Sequence, residues 1–203
     1  MNKDSLVPID FLNKIKKCLI ERTTDIKEEV QIEAINCMKY LQEPKNDFCE
    51  AIGLFIFILE HNGLSLKSRL QILDVIAINH QTLKTIKNLI FYPEVDIRLK
   101  TYDILIEKVS VKSFDQKYKF SLLKSIFKEG KSNSNIYIDK LLSRWLPKLN
   151  NNYLEFFSLF NFKQYSHFLD TEKLEDFILA AFTIKTEQFN SLKEKFLKDC
   201  NLT

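Results

Sequence analysis

The stretch that decides the fold covers residues 93–109 and reads Pro-Glu-Val-Asp-Ile-Arg-Leu-Lys-Thr-Tyr-Asp-Ile-Leu-Ile-Glu-Lys-Val. A proline opens it, and apolar residues then recur at steps of three and four, which places them on one face of a helix. That face consists of Val95, Leu99, Tyr102, Ile106 and Val109, widened by Ile97, Thr101, Ile104 and Leu105. A helix that is apolar over so much of its circumference must be covered on two sides. This favours the inner helix of a stacked helical pair.

The composition extends this helical interpretation to the whole chain. Of the 203 residues, 45% are hydrophobic and 28% charged, so the chain can form a sizeable core. With only 3 Gly and 4 Pro, it has little of the turn chemistry that an all-β fold needs. The sequence therefore predicts an all-α protein of long helices joined by short loops.

Several classes of protein are disfavoured by the absence of their motifs. The cysteines are Cys18, Cys37, Cys49 and Cys200, and their spacing offers no Cys-x-x-Cys pair for zinc or redox chemistry. We find no Walker lysine loop, His-Glu-x-x-His or Gly-x-Ser-x-Gly motif, so we expect no catalysis and no cofactor. No signal peptide is recognisable, and the longest apolar run, residues 51–59, is too short to span a membrane. We expect reduced thiols and an intracellular protein without a membrane partner.

The helices recur with a regular rhythm. Inner helices are predicted to begin near Val30, Ser68, Ile97, Ile136 and Leu174. A shorter outer helix precedes each, and a loop is predicted at residues 132–135. A repeat of about 30 to 40 residues is typical of HEAT-type arrays. We predict a single HEAT-type α-solenoid domain over residues 1–203, with about four to five helical hairpins; a three-helix or four-helix bundle is the alternative, although it would not need so regular a spacing.

An ordered series of motifs resembles a known family. The segments are residues 33–35 running into 41–47 (Leu-Gln-Glu-Pro-Lys-Asn-Asp), residues 76–79 with Thr82-Leu83, residues 97–109, Leu122-Leu123, and Leu141-Leu142 with Trp145-Leu146. In this order they are similar to the HEAT-repeat, non-SMC subunit family of condensin, condensin complex subunit 3 or chromosome-associated protein G. The resemblance covers roughly residues 19–182.

The resemblance implies a function that composition alone does not. Subunits of this family are non-catalytic, bind a kleisin chain and double-stranded DNA, and act with SMC ATPases in the condensation of mitotic chromosomes in the nucleus. Family members are several times longer, so the chain is similar to an N-terminal portion, a truncated product or a reduced homologue. The polar residues 132–135 replace an acidic, arginine-bearing turn of the family pattern.

The basic residues of the inner helices are the candidate DNA contacts. They are Lys67, Arg69, Arg98, Lys100, Lys108, Lys112, Lys140 and Arg144. Inner helices line the concave face of a solenoid, and cations at backbone spacing bind phosphates without reading sequence. The alternative is that these residues lie on solvated helix faces and pair with Glu and Asp. Trp145 is interpreted as a core residue rather than a stacking platform.

Two other functions are compatible with a HEAT array. A general adaptor, of karyopherin or phosphatase-scaffold type, would bind peptides in the same groove without affinity for DNA. A HEAT-fold DNA glycosylase has a similar size and a basic groove, but it needs aromatic residues and an acid at the excision site. A gel shift separates the adaptor, and an assay on alkylated DNA separates the glycosylase.

Overall fold

The structure, a computed structural model, describes residues 8–61, 63–150, 152–160 and 175 of the chain. Its helices are α1 (Ile9–Arg22), α2 (Glu28–Met38), α3 (Glu50–His61), α4 (Leu66–Val75), α5 (His80–Asn88), α6 (Val95–Lys108), α7 (Gln116–Phe127), α8 (Lys131–Trp145) and α9 (Tyr153–Ser158). Short 3-10 turns follow α2, α5, α6 and α8. No strand occurs in this described part of the chain, and the all-α prediction is confirmed.

Three of the helical pairs that the sequence rhythm predicts pack against each other. Helix α1 packs against α2, α3 against α4, and α7 against α8. Helices two places apart also pack, α2 against α4 and α3 against α5. Hairpins whose equivalent helices stack on one another are the organisation of HEAT-type repeats, so a closed bundle is not the fold. The predicted fifth inner helix, near Leu174, lies outside the continuous described segments.

The chain forms two compact units, Met1–Thr101 and Tyr102–Thr203, with the boundary inside α6. The first has an apolar core that includes Ile35, Met38, Phe55 and Ile72, all fully buried. The second has a core that includes Tyr102, Leu123, Leu141, Trp145 and Phe156, also fully buried. Each unit therefore buries its own apolar side chains, and the prediction of one domain over the whole chain stays a prediction.

The decisive stretch has the broad apolar face expected of it. Within α6, the side chains of Thr101, Tyr102, Leu105 and Ile106 are fully buried, on more than one side of the helix. Val95 and Leu99 are exceptions, because Val95 lies in the first turn and is 45% exposed, and Leu99 is only partly buried. The prediction that α6 is covered on two sides is thereby confirmed for most of its length.

The predicted loop at residues 132–135 is wrong, because these residues form the first turns of α8. Gly130 supplies the preceding reversal with φ of 83°, a left-handed conformation that glycine adopts without strain. Ser134 is then buried, and its hydroxyl donates to the carbonyl of Ile126 on α7 at 2.9 Å. The polar run thus begins α8, since the first turn of a helix tolerates Ser and Asn better than its interior does.

In the first unit, Gln42 links two connections between helices. Its Nε2 donates to the carbonyl of Val75 at 2.8 Å, and its Oε1 accepts the backbone N–H of Ala77 at 2.6 Å. These bonds tie the connection after α2 to the connection after α4. They satisfy backbone groups at the C-terminal end of α4 and just beyond it, where no helical partner is available.

Candidate nucleic-acid interface

The eight predicted cations divide equally between the two compact units. Lys67, Arg69, Arg98 and Lys100 belong to the first. Lys108, Lys112, Lys140 and Arg144 belong to the second. The two groups differ in how many of their cations form ion pairs or hydrogen bonds with other residues of the protein.

In the first unit, two of the lysines form ion pairs between inner helices. The Nζ atom of Lys67 on α4 lies 3.6 Å from Oε2 of Glu28 on α2. Lys100 on α6 pairs with Asp74 of α4. These contacts match the interpretation in which the cations pair with carboxylates on solvated helix faces. A pair at such exposed positions is worth only about 0 to 1 kcal/mol, so it competes weakly with a phosphate.

Arg69 is engaged much more completely. The residue is only 6% exposed, its guanidinium donates to Oε1 of Glu94 at 3.0 Å and to the hydroxyl of Tyr92 at 2.9 Å, and it lies over the Tyr92 ring. The hydrogen bond from Arg69 holds the pKa of the Glu94 carboxyl below its usual range. A guanidinium held on a carboxylate, a hydroxyl and a ring face is a packing element that orders the turn before α6.

Arg98 binds the same turn through its backbone carbonyls. Its Nη1 donates to the carbonyls of Tyr92 and Pro93, each at 2.6 Å. Arg69 and Arg98 together therefore fix the segment that leads into α6. The two candidate arginines of the first unit, Arg69 and Arg98, are explained by this backbone and carboxylate network without a ligand.

In the second unit, Lys140 of α8 bridges two carboxylates of α6. Its Nζ lies 2.6 Å from Asp103 and 2.7 Å from Glu107. Burial pushes the pKa of Lys140 down, but the hydrogen bonds to the two carboxylates outweigh it and the pKa is raised overall. The same hydrogen bond holds the pKa of Glu107 below its usual range. Lys140 is thus a clamp between α6 and α8.

The remaining three cations are solvent-exposed. They are Lys108 at the end of α6, Lys112 in the following 3-10 turn, and Arg144 in the last turn of α8. Within the described residues, none of the three takes part in an ion pair. A fourth exposed cation, Lys148, lies just beyond α8 and was not among the predicted contacts. The sequence feature that could have identified Lys148 is its position directly after Pro147, near the end of a predicted inner helix.

Trp145 is a core residue, as predicted. It is fully buried, and its Nε1 donates across to the carbonyl of Ile106 on α6 at 3.3 Å. Its ring lies 5.9 Å from that of Phe114 and 6.4 Å from that of Phe160. A side chain enclosed in this way has no face open for a nucleobase.

The described residues contain no group of three or more His, Cys, Asp or Glu that could hold a metal ion. None of their helices is both long enough and apolar enough to cross a bilayer.

The fold and the arrangement of these helices define a HEAT-type α-solenoid. No family model matches the chain. The chain is 26% identical over 156 residues to human (Homo sapiens) condensin complex subunit 3, a match that covers 76% of this chain and 15% of the relative. Its fold is similar to one in the crystal structure of the S. pombe condensin Cnd3-Cnd2 subcomplex, with a TM-score of 0.73 and 20% sequence identity.

The resemblance to the condensin HEAT subunit, first noted in the sequence motifs, is therefore confirmed. The structural match covers 89% of this chain and 24% of the matched chain. The chain thus spans well under a third of the length of either relative. At this level of identity the solved structure shows the fold, and the activities of the longer relatives come to this chain only as proposals.

Proposed function

We propose that the chain is a non-catalytic HEAT-repeat subunit of a condensin complex. In this role it binds the kleisin subunit and double-stranded DNA and acts with the SMC ATPases through the kleisin, on mitotic chromosomes in the nucleus. The observation that carries the proposal is the similarity to human condensin complex subunit 3 over 156 residues. That length exceeds either compact unit, so the similarity belongs to the array of hairpins rather than to one repeat.

Kleisin binding is supported by the solved relative, whose description names a subcomplex of Cnd3 with Cnd2. Solenoids bind extended segments of other proteins along stacked helices, so a HEAT array of this kind suits an unfolded kleisin segment. The test is a pull-down of the full chain with the kleisin of its own proteome. Recovery of the chain supports the proposal, and recovery at reduced affinity is expected if the array carries part of a longer footprint.

DNA binding is proposed to be independent of base sequence and sensitive to salt. The exposed candidate cations, Lys108, Lys112 and Arg144, form no ion pair within the described residues, which suits contact with the phosphate backbone rather than readout of base edges. Fluorescence anisotropy with unrelated duplexes of equal length should give the same affinity for each. A strong preference for one sequence, or binding that is indifferent to salt, would contradict backbone recognition.

The alternatives give different outcomes in the same set of experiments. A general HEAT adaptor would bind peptides but neither the kleisin nor DNA. A glycosylase would release an alkylated base from duplex DNA, although the only tryptophan of the chain is buried. Failure with every kleisin of the proteome, with DNA binding retained, would instead indicate a free-standing DNA-binding HEAT protein.

A further inference from the structure

We infer that a second copy of this chain binds the side of the first hairpin that faces away from α3 and α4, which we call the end face. On α1 the end face contains Phe11, Lys14 and Cys18, and on α2 it contains Glu29 and Glu33. It lies wholly within the first compact unit. The inference goes beyond the proposed function, because neither the kleisin nor DNA takes part in this contact.

An ion pair fixes which side of α1 faces away from α3. Nζ of Lys16 lies 2.8 Å from Oε2 of Glu50, the first residue of α3. Successive residues of an α-helix are rotated by about 100°, so Lys14 and Cys18 lie about 160° from Lys16 around α1. Phe11 lies about 140° from Lys16, and all three of these outward residues are exposed.

A hydrogen bond fixes the corresponding side of α2. The hydroxyl of Ser68 on α4 donates to Oε1 of Gln31 at 2.8 Å. Glu29 and Glu33 each lie about 160° from Gln31 around α2, and both are exposed. Because α1 packs against α2, the outward sides of the two helices adjoin each other.

The hairpin also exposes an unusual amount of apolar surface. Helix α1 buries none of its residues, and its exposed large apolar side chains are Ile9, Phe11, Leu12 and Ile15. Ile26 and Tyr40 lie just beyond the two ends of α2 and are almost fully exposed. Removing such groups from water is favourable, which supplies an attraction for a partner without identifying it.

The charges of the hairpin that are left unpaired form a matched set. Three ion pairs use charges of the hairpin, namely Lys16–Glu50, Arg22–Asp25 and Glu28–Lys67. The other charged residues are all exposed; they are Asp10, Lys14, Lys17 and Glu21 along α1, and Lys39, Glu33, Glu29 and Lys27 from the end of α2 back to its beginning. Within the part of the chain that the structure describes, none of these takes part in an ion pair. The signs run negative, positive, positive, negative on α1, and the reversed α2 series has the opposite sign at every step.

This complementarity between α1 and α2 identifies the occupant as a second copy. A two-fold axis parallel to the helices lays α1 of one copy antiparallel to α2 of the other and makes each contact twice. Residues 10–21 span about 17 Å of helix and residues 27–39 about 18 Å, so the two series have similar lengths. Lys14 then faces Glu33 of the second copy, near the middle of both series. Exposed ion pairs contribute little affinity, so they set the orientation while the apolar side chains supply the attraction.

The test mixes two single variants of the full chain, Lys14→Glu and Glu33→Lys. A dimer of either variant alone has like charges opposed at both symmetry-related contacts. A dimer of one variant with the other instead opposes the two new side chains, which have opposite charges, and keeps the original pair of Lys14 with Glu33 at the second contact. Contacts within a single chain cannot give this result, because each chain carries only one of the two changes.

Self-association is measured by sedimentation equilibrium at low salt over a wide range of chain concentration. We expect the wild type to form dimers, each variant alone to dimerise about tenfold more weakly, and the equimolar mixture to return to within about threefold of the wild type. The control variants are Lys84→Glu on α5 and Asp96→Lys on α6, both at exposed positions, and they should dimerise like the wild type alone and mixed. Far-ultraviolet circular dichroism checks that every variant is folded.

Two kinds of result would overturn the inference. A wild type that stays monomeric at every concentration shows that no second copy binds the end face. Single variants that dimerise like the wild type, or a mixture that dimerises no more tightly than either variant alone, show that another surface joins the copies. None of these results affects the kleisin pull-down or the DNA titration, so the proposed function is tested separately.

Discussion

Replacing Lys140 with methionine is expected to lower the free energy of unfolding by about 1 to 2 kcal/mol. The ammonium group makes two short contacts, 2.6 Å to Asp103 and 2.7 Å to Glu107, and its side chain is 29% exposed. A fully exposed ion pair is worth about 0.2 to 1 kcal/mol, and two pairs sharing one partly enclosed cation give the upper part of twice that range. Methionine keeps the helix propensity and the apolar stem, so the loss isolates the charge.

The assay is urea unfolding followed by the emission of the single tryptophan. Trp145 bonds to Ile106 across the same pair of helices that Lys140 clamps, so its emission reports on the contact under test. For a chain of this length, a loss of 1 kcal/mol corresponds to a fall in Tm of about 2 to 4 °C. The control is Lys112→Met, which removes an exposed lysine and should change stability by less than about 0.5 kcal/mol.

The pH dependence of the difference in stability between the wild type and Lys140→Met gives a second readout. Because the pKa of Glu107 is lowered in the folded state, its contribution is present above the ordinary value of 4.5 and is lost as the pH falls through the folded pKa. Because the pKa of Lys140 is raised, its contribution persists at neutral pH and is lost only as the pH rises beyond 10.5 through the folded pKa. Wild type and Lys140→Met should therefore converge in strong acid. Equal stability at neutral pH, or a difference that persists after the carboxylates are protonated, would refute the clamp.

Three further changes test other parts of the structure. Arg69→Met should lower the free energy of unfolding by about 2 to 3 kcal/mol, because the buried guanidinium binds Glu94 and Tyr92. Thermal unfolding measures the loss, and an unchanged Tm would show that this network is dispensable. Gln42→Ala should lower the free energy of unfolding in urea by about 1 to 3 kcal/mol, because it removes both hydrogen bonds that join two connections of the first unit, and a loss below about 0.3 kcal/mol would contradict this. Trp145→Ala should lower the free energy of unfolding by about 3 to 5 kcal/mol, and stability close to that of the wild type would argue against its place in the core. Unfolding is then followed by far-ultraviolet circular dichroism, since the tryptophan emission is lost.

The helices were predictable from the sequence because periodicity and caps are local properties. The inner helices predicted near Val30, Ser68 and Ile97 begin at Glu28, Leu66 and Val95. The error at residues 132–135 arose because Ser and Asn favour loops as well as first turns, and the tertiary contact from Ser134 to Ile126 on α7 is not visible in the sequence.

The sequence could not predict which cations bind carboxylates or are buried and which stay exposed. Lys140 and Arg144 lie one helical turn apart on α8 and are equivalent by spacing. Only the position of α6 decides that Lys140 meets Asp103 and Glu107, whereas Arg144 stays exposed. Arg69 is a similar case, because a sequence pattern does not show that a basic residue will be buried beneath Tyr92.

The hydrogen bonds between neighbouring helices have a consequence for how the chain acquires its structure. Trp145 and Ile106 are 39 residues apart, and Ser68 and Gln31 are 37 apart. Each of these contacts closes a loop of about one repeat, so the entropic cost of closing it is set by the repeat and does not grow with the length of the array. Each hairpin requires only its predecessor as a template. The chain can therefore gain native contacts in order as it leaves the ribosome, before its C-terminal residues have been synthesised.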